Sequence, residues 1–373
     1  MRRLPRIPHR SALAAVATAL FLLATHASAA DEFMSKAQSV VAAAVKPSPP
    51  WDGPTGGPKA QANKTIVYVG SDLRNGGVLG VSDGVAEAAR GIGWKLRVLD
   101  GQGSVSGRTA AMNQAMTLNP SGIILGGFDP TEQATVIRKA GSLKIAVVGW
   151  HAGPKAGPDP STGLFTNVST DPLQVATVAA NYAVVKSNGT AGVVVFTDSL
   201  YQVAVAKSTA MADVIRKCKG CALLSVEDTP LSETSTRIPQ LSTSLLQRFG
   251  TRWSYSLGIN DLYFDFMGPA LASAGRKPSG PPVNLSAGDG SESAYQRIRG
   301  DRYQAGTIPE PLLLHGWQLV DELNRAFSGV TPSGYSTPVH LVTPENIASD
   351  VGPNNIYDPA NNYRDVYRRI WGR

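Results

Sequence analysis

Cysteine is scarce in this chain: Cys218 and Cys221 are the only two in 373 residues. A disulfide framework is excluded, and so is a zinc site built on cysteine, which would need a second pair. The Cys-Lys-Gly-Cys spacing imitates a redox motif, but that motif opens a helix in thioredoxin-type enzymes and here it follows one. A local structural disulfide is the expectation in an oxidising compartment. Histidine is nearly as sparse, and only His151, His315 and His340 lie beyond residue 30. No second His or Cys stands at ligand spacing from His151, so neither a metal nor any other cofactor is expected.

Long apolar runs are missing too. The one candidate, Ala12–Ala24, has 13 residues, short of the roughly 20 that span a bilayer. Charge of one sign is also lacking. The net +7 includes Arg2, Arg3, Arg6 and Arg10; without them 31 Lys+Arg face 28 Asp+Glu, a balance of +3. That excludes the concentrated basic face of a nucleic-acid binder. A nucleophile elbow G-x-S-x-G is absent, since Gly103-Ser-Val-Ser-Gly107 has Val in the key place. With Gly101 the same stretch imitates a dinucleotide fingerprint, but its third glycine comes one residue late and after the second strand, so a surface turn is expected.

What is present begins with a secretory layout: arginines, the apolar run, then Ala27-Ser28-Ala29 with small residues where a signal peptidase reads. Residues 1–29 are read as a signal peptide. No cysteine lies near the cleavage point, so a free, unlipidated periplasmic protein is expected. Residues 30–63 follow as a leader, with four prolines between Pro47 and Pro54 that forbid regular structure. Its Trp51 serves either the body of the protein or a partner.

From Lys64 strands and helices alternate. Thr65–Gly70 is β-rich, and the next segment places Val78, Val81, Val85, Ala88 and Ile92 at helical spacing before Gly93. Similar pairs recur to residue 168. A second series runs from 175, with helices at Val203–Ile215, Ile238–Arg248 and Leu262–Ala274 and strands at Val283–Ala287, Tyr303–Ile308 and Val339–Val342. The fold class is α/β: two doubly wound parallel-sheet lobes, residues 64–170 with 311–336 and residues 171–309 with 337–350, joined by a three-segment hinge. Residues 351–373 form a tail. Its basic end Arg364–Arg373 reads as a helix packing Val366, Tyr367, Ile370 and Trp371.

In open α/β sheets ligands bind at the carboxyl ends of strands. Here those ends carry Ser71-Asp72 with Asn75, Asp129, Trp150-His151, Asp198-Ser199, Asn260-Asp261 and Asp289. Carboxylates, amides and an occasional ring suit a small hydroxyl-rich molecule, with charge-assisted hydrogen bonds supplying most of the specificity. Asp289 stands before a helix and could cap it, but Ser291 and Ser293 can cap equally well, so it is read as a ligand contact. His151 stays open between a structural and a ligand role, and Lys207 between cleft and solvent. Tyr201 and Lys207 are six apart and share no helix face closely.

The stretches "IVYVGSDLRNGGVLGVSDGVAEAARGIGWKLRVLDGQ", "GIILGGFDPT", "IAVVGWHAG", "GDGSESAYQRI" and "YQAGTIPEP", in this order, resemble the sugar-type periplasmic substrate-binding proteins of ABC importers, type I fold. The resemblance covers roughly Lys64 to Ile347. It implies hinge segments near Ser169–Pro172, Pro309–Pro311 and Tyr335–Pro338. It also implies that Ser71, Asp72, Asn75, Val78 and Leu79 line one lobe with Trp150 and His151, that Lys207 matches a ligand-gripping arginine, and that Asn260, Asp289 and Glu310 match polar contacts on the other lobe and hinge. The chain departs from the family at Val78 and Leu79, often aromatic; at His151-Ala152, often Asp-Arg; and at Glu310, often an amide. The ligand class therefore widens from pyranoses to polyols, modified sugars and small cyclic or cationic compounds.

The resemblance implies a monomer that captures a solute and passes it to an ABC permease. A sensor that presents the solute to a chemoreceptor or kinase would look the same. An exported glycoside or ester hydrolase is the remaining class, with Asp289 and Glu310 as its candidate carboxylates; a non-enzyme is expected.

Overall fold

Runs of Val, Ile and Leu buried on both faces are what a parallel sheet covered by helices requires. Such runs form β1 (Thr65–Gly70), β3 (Gly122–Gly126) and β4 (Ala146–Trp150) in the computed structural model, which describes residues 31–373; the signal-like residues 1–29 lie outside the described residues. With β2 (Lys95–Asp100), β5 (Gly157–Asp159) and β6 (Leu164–Val168) they make a six-stranded sheet in the order β2-β1-β3-β4-β6-β5. It is parallel except for β5, an unforeseen antiparallel edge strand on β6. The second sheet runs β11-β10-β9-β7-β8, all parallel, from β7 (Gly192–Thr197), β8 (Ala222–Asp228), β9 (Tyr255–Gly258), β10 (Val283–Ser286) and β11 (Gly306–Thr307).

The main helices of the first lobe are α2 (Gly76–Ile92), α3 (Val105–Thr117), α4 (Ala134–Ser142) and, after the second sheet, α11 (Leu312–Phe327). Those of the second are α5 (Pro172–Lys186), α6 (Gln202–Lys217), α7 (Thr234–Phe249) and α10 (Glu292–Arg299). Asn75 caps α2 by accepting the Gly77 amide proton at 2.9 Å, and Gly93 ends it with φ +85°, a left-handed conformation few other residues tolerate. α11 returns to the first lobe and lies on α2 with backbones in contact: a Cβ on Gly316 would stand 2.3 Å from the Gly84 carbonyl carbon.

Several elements differ from the sequence reading. The leader is not wholly extended, since residues 31–44 form a helix, α1, with Ala37 and Ala44 in the core. The prolines that stop it begin only at Pro47. The single helix expected over Leu262–Ala274 is two short ones, α8 (Leu262–Asp265) and α9 (Gly268–Ser273), because Pro269 cannot donate to the preceding turn. Tyr303–Ile308 pairs over two residues only, and Val339–Val342 contributes one antiparallel bridge, Thr307 to Val342, rather than a strand.

Three crossing segments lie side by side. The Thr170 amide donates to Glu310 Oε2 at 3.0 Å, the Thr170 and Thr337 hydroxyls are 2.6 Å apart, and the Ser336 hydroxyl donates to the Ser169 carbonyl at 3.1 Å. Two more connections join the lobes. α1 lies on the second lobe, where the Leu341 amide donates to the Ala44 carbonyl at 2.8 Å, and the leader then runs to the first lobe. There Trp51 packs on Tyr335 and Tyr367, and Ala60 donates to the Trp371 carbonyl at 3.0 Å. The tail runs the same way: α12 (Ile347–Asp350) and Tyr357 pack with Tyr295 and Ile298 of the second lobe, whereas α13 (Tyr363–Trp371) buries Tyr367, Ile370 and Trp371 in the first.

Candidate functional site

The carboxyl ends of β1, β3 and β4 face those of β7, β9 and β10, and between them lies an interior space of about 50 Å³. The first lobe lines it with Ser71, Asp72, Asn75, Val78, Gly127, Trp150 and His151; the second does so with Tyr201, Lys207, Ser232, Asn260, Leu262 and Asp289. Of the eleven residues that the resemblance places at the pocket, nine stand on this wall. Leu79 does not: one position further round α2, it is 45% exposed and borders an outer groove. Glu310 does not either; it is fully buried in the hinge beside the cavity.

Asp289 accepts a hydrogen bond from Asn260 Nδ2 at 2.7 Å, and its Oδ1 stands 3.8 Å from His151 Nδ1 on the opposite lobe. It does not cap α10; the Ser291 hydroxyl does, accepting the Ala294 amide proton at 3.2 Å. Burial pushes the Asp289 carboxyl upward against the pull of His151 and Lys207. Lys207 is 2% exposed, so it belongs to the cleft rather than the surface, and its Nζ donates to the Ala287 carbonyl at 2.8 Å. Asp72 is tied on its own lobe to Arg74, at 2.9 and 2.7 Å. Trp150 and His151 stack at 4.1 Å and 9°, giving one end of the cleft a flat aromatic surface. His151 holds φ +48°, a conformation unusual for a residue other than glycine.

The lobes touch around this cavity. The Gln202 amide donates to Asp129 Oδ2 at 2.9 Å, and burial lifts that carboxyl to about 6. Arg108, buried and held by Glu132 at 2.9 and 3.0 Å, lies over the Tyr201 ring. Gly77 approaches Asp289 so closely that a Cβ on it would be 2.3 Å from Oδ2.

Several wall residues escape sequence reasoning. Tyr201 and Lys207 both face the cavity despite their spacing, because Tyr201 precedes the first turn of α6 and does not follow the helical angle. Gly103, read as part of a surface turn, lines the cleft, where a Cβ would meet Asp72 Oδ2 at 2.6 Å. Leu231 and Ser232 come from a short 3₁₀ turn after β8. Asp198 and Asp261 turn away from the space and instead hold loop amides, Leu231 at 2.7 Å and Gly290 at 2.8 Å. Cys218 and Cys221 are joined in a disulfide after α6.

A family model described as "Periplasmic binding protein domain" matches residues 61–329. The chain belongs to that family. Its architecture is the type I form, two parallel-sheet lobes with helices on both sides. No curated protein matches the chain. Among solved structures it is similar to the periplasmic binding protein component of the arabinose ABC transporter from a Shewanella species, bound to L-arabinofuranose, at 16% identity over 82% of this chain and 98% of that one, with a TM-score of 0.68. An ABC transporter solute binding protein from Bacillus halodurans with bound myo-inositol is also 16% identical, over 78% of this chain and 97% of that one, with a TM-score of 0.64. Another from Agrobacterium vitis, with bound allitol, is 17% identical over 76% and 97%, with a TM-score of 0.65. At these identities the likeness speaks for the fold.

Among the described residues, no group of three or more His, Cys, Asp or Glu is placed to hold a metal, and no helix is long and apolar enough to cross a membrane.

Proposed function

We propose that this periplasmic binding protein captures one small hydroxyl-rich solute, a sugar, polyol or derivative, by closing its lobes and then delivers it to an ABC permease. The observation that carries this reading is the wall of the cleft. Two lobes contribute paired acceptors and donors (Ser71, Asp72, Asn75, Asn260, Asp289, Lys207) around a flat Trp150–His151 surface. Hydroxyl groups exchange hydrogen bonds with such a set while the C–H face of a ring or carbon chain lies on the aromatic plane. Relatives of the same fold that hold arabinofuranose, myo-inositol and allitol support the class. The reading extends to an exported, unlipidated monomer without catalytic activity; its export is supported by the secretory layout of residues 1–29.

A thermal-shift screen of the exported chain against furanoses, pyranoses, inositols and linear polyols tests it. A solute at about a hundred times its Kd adds roughly 2.7 kcal/mol of stability, which a melting curve resolves. One class raising the melting temperature, with the compound recovered unchanged, is the expected result. A hit that is consumed would replace the proposal with an enzyme, and no response across the panel would remove hydroxyl-rich solutes from consideration.

A further inference from the structure

Helix α6 starts at the cleft, and the chain leading into it has its amides met one after another inside its own lobe. Ser199 donates to Asp228 Oδ1 at 2.9 Å, Leu200 to Asp198 Oδ1 at 3.0 Å and Tyr201 to the Asp198 carbonyl at 3.3 Å. The next amide, Gln202, opens the helix and finds no acceptor in that lobe. Tyr201 occupies the capping position, but its side chain makes no bond to the first turn. α2, α3, α5 and α10 differ, each being capped by a side chain of its own: Asn75, Ser104, Asp171 and Ser291.

The missing acceptor comes from the other lobe. Asp129 Oδ2 takes the Gln202 proton at 2.9 Å, and a carboxylate suits the positive end of a helix. Asp129 precedes a 3₁₀ turn of its own, Pro130–Gln133, which its side chain does not cap. Arg108 reaches the same place beside it. Glu132 holds its Nε and Nη2, at 2.9 and 3.0 Å, which leaves Nη1 directed at the Tyr201 hydroxyl at 3.5 Å. Neither Asp129 nor Arg108 lines the cavity, whereas Tyr201 at the cap of α6 and Lys207 on its second turn both do.

We infer that Asp129 is a positioning residue that caps α6 from the opposite lobe, so that closure completes the start of this helix and seats Tyr201 and Lys207 on the cleft wall. Its purpose rests on the solute-binding reading, but the cap is a property of the protein alone.

Site-resolved hydrogen exchange on the full chain without solute tests it. A first-turn amide has no partner within its helix, so Asp129 alone slows the Gln202 proton. Exchange there should become roughly tenfold faster in Asp129→Ala, the scale of one lost hydrogen bond, while the amides of β7 keep their rates. Asp129→Asn retains an acceptor oxygen and should restore the slow rate. A Gln202 amide that is equally fast with and without Asp129, or that exchanges in the unaltered protein at the rate of an unstructured chain, overturns the inference. The second of these decides even where Asp129→Ala does not fold.

Gln202→Pro carries the test to binding. The Gln202 side chain is exposed, proline suits the first helical position, and Tyr201 already has the extended backbone (φ −120°, ψ 122°) that a residue before proline needs. The ring replaces the one proton that Asp129 takes. With myo-inositol, allitol and L-arabinose as probes, affinity should fall roughly tenfold, again one hydrogen bond, while the melting temperature of the free protein holds. Undiminished affinity for a probe that binds also overturns the inference. If none of the probes binds, the exchange rates decide. A failed solute screen thus leaves the cap standing, and a fast Gln202 amide leaves solute capture standing.

Discussion

The two lobes are held together in two chemically different ways. Across the cleft the contacts are few, polar and exact in fit: the Gln202 amide on Asp129, Gly77 against Asp289, Tyr201 beneath Arg108. Along the leader and tail, which cross from the second lobe to the first, the contacts that anchor them on the first lobe are aromatic and broad, with Trp51 on Tyr335 and Tyr367 and Trp371 stacked on Trp317 at 5.3 Å. Polar contacts exchange readily with water and cost little to break, whereas burying aromatic surface contributes steadily and without direction. We read the cleft as the side that opens and the terminal segments as the side that stays shut.

The largest effect is expected from Gly77→Val. Its branched side chain must occupy the space of the Asp289 carboxylate, which Asn260 holds in place, so the lobes cannot meet. Overpacking of this kind costs up to about 3 kcal/mol, so solute affinity should fall roughly a hundredfold while the melting temperature of the free protein stays near its original value. Retained affinity would show that closure does not bring Gly77 to Asp289. Next comes Asp289→Ala. A lost charged hydrogen bond is worth roughly 1.5–3 kcal/mol, so titration calorimetry should show one to two orders of magnitude weaker binding. Unchanged affinity would remove Asp289 from the solute's contacts.

Trp51→Ala tests the other side of the comparison. Trp51 is half-buried, so its loss should cost about 2 kcal/mol of stability, below the 3–5 kcal/mol of a fully buried Trp. Melting should come earlier, with solute affinity barely changed if the terminal segments do not take part in closure. A larger effect on affinity than on melting would join the two sides that the comparison separates.

The leader also shows what the sequence conceals. Ala37, Val40, Val41 and Ala44 carry a helical spacing, but four nearby prolines and the Gly pair outweigh it in a reading from composition. The alternation that gives the two sheets is legible because parallel strands buried on both faces are continuous apolar runs. β5 is not, being too short to show a period, and β11 and the Thr307–Val342 bridge fall within stretches that read as longer strands. Of the cleft, the residues at strand ends were legible, since the strand-end rule points to them directly. Tyr201, Gly103 and Ser232 were not, because loops bring them to the wall and no period governs a loop. Glu310 was pointed to by the family resemblance, but its buried position beside His151 is a fact of three dimensions.

The smallest predicted effect concerns pH and lies on the side read as staying shut. Glu322 of α11 is buried and accepts hydrogen bonds from the Ser333 amide and hydroxyl; burial, only partly offset by those bonds, raises its carboxyl to about 7. A folded-state pKa above the ordinary carboxylate value contributes stability that is fully present below that ordinary value. It is lost as pH rises through about 7. Asp261 and Asp129, each lifted to about 6 by burial, act in the same direction, whereas His315, held down to about 4 by burial, contributes stability that grows as pH rises toward the ordinary histidine value. Glu310 and Glu87 are held below the ordinary range, and their contributions disappear only in stronger acid. Between pH 5 and pH 8 the protein should therefore lose stability on balance, on the scale of about 1.4 kcal/mol per pKa unit. That corresponds to a few degrees in Tm for a chain of this size. Glu322→Gln keeps an acceptor for Ser333 without the charge, so its melting temperature should vary less across the same interval. An equal slope in both proteins would place the dependence elsewhere, with Asp261→Asn as the next variant to compare.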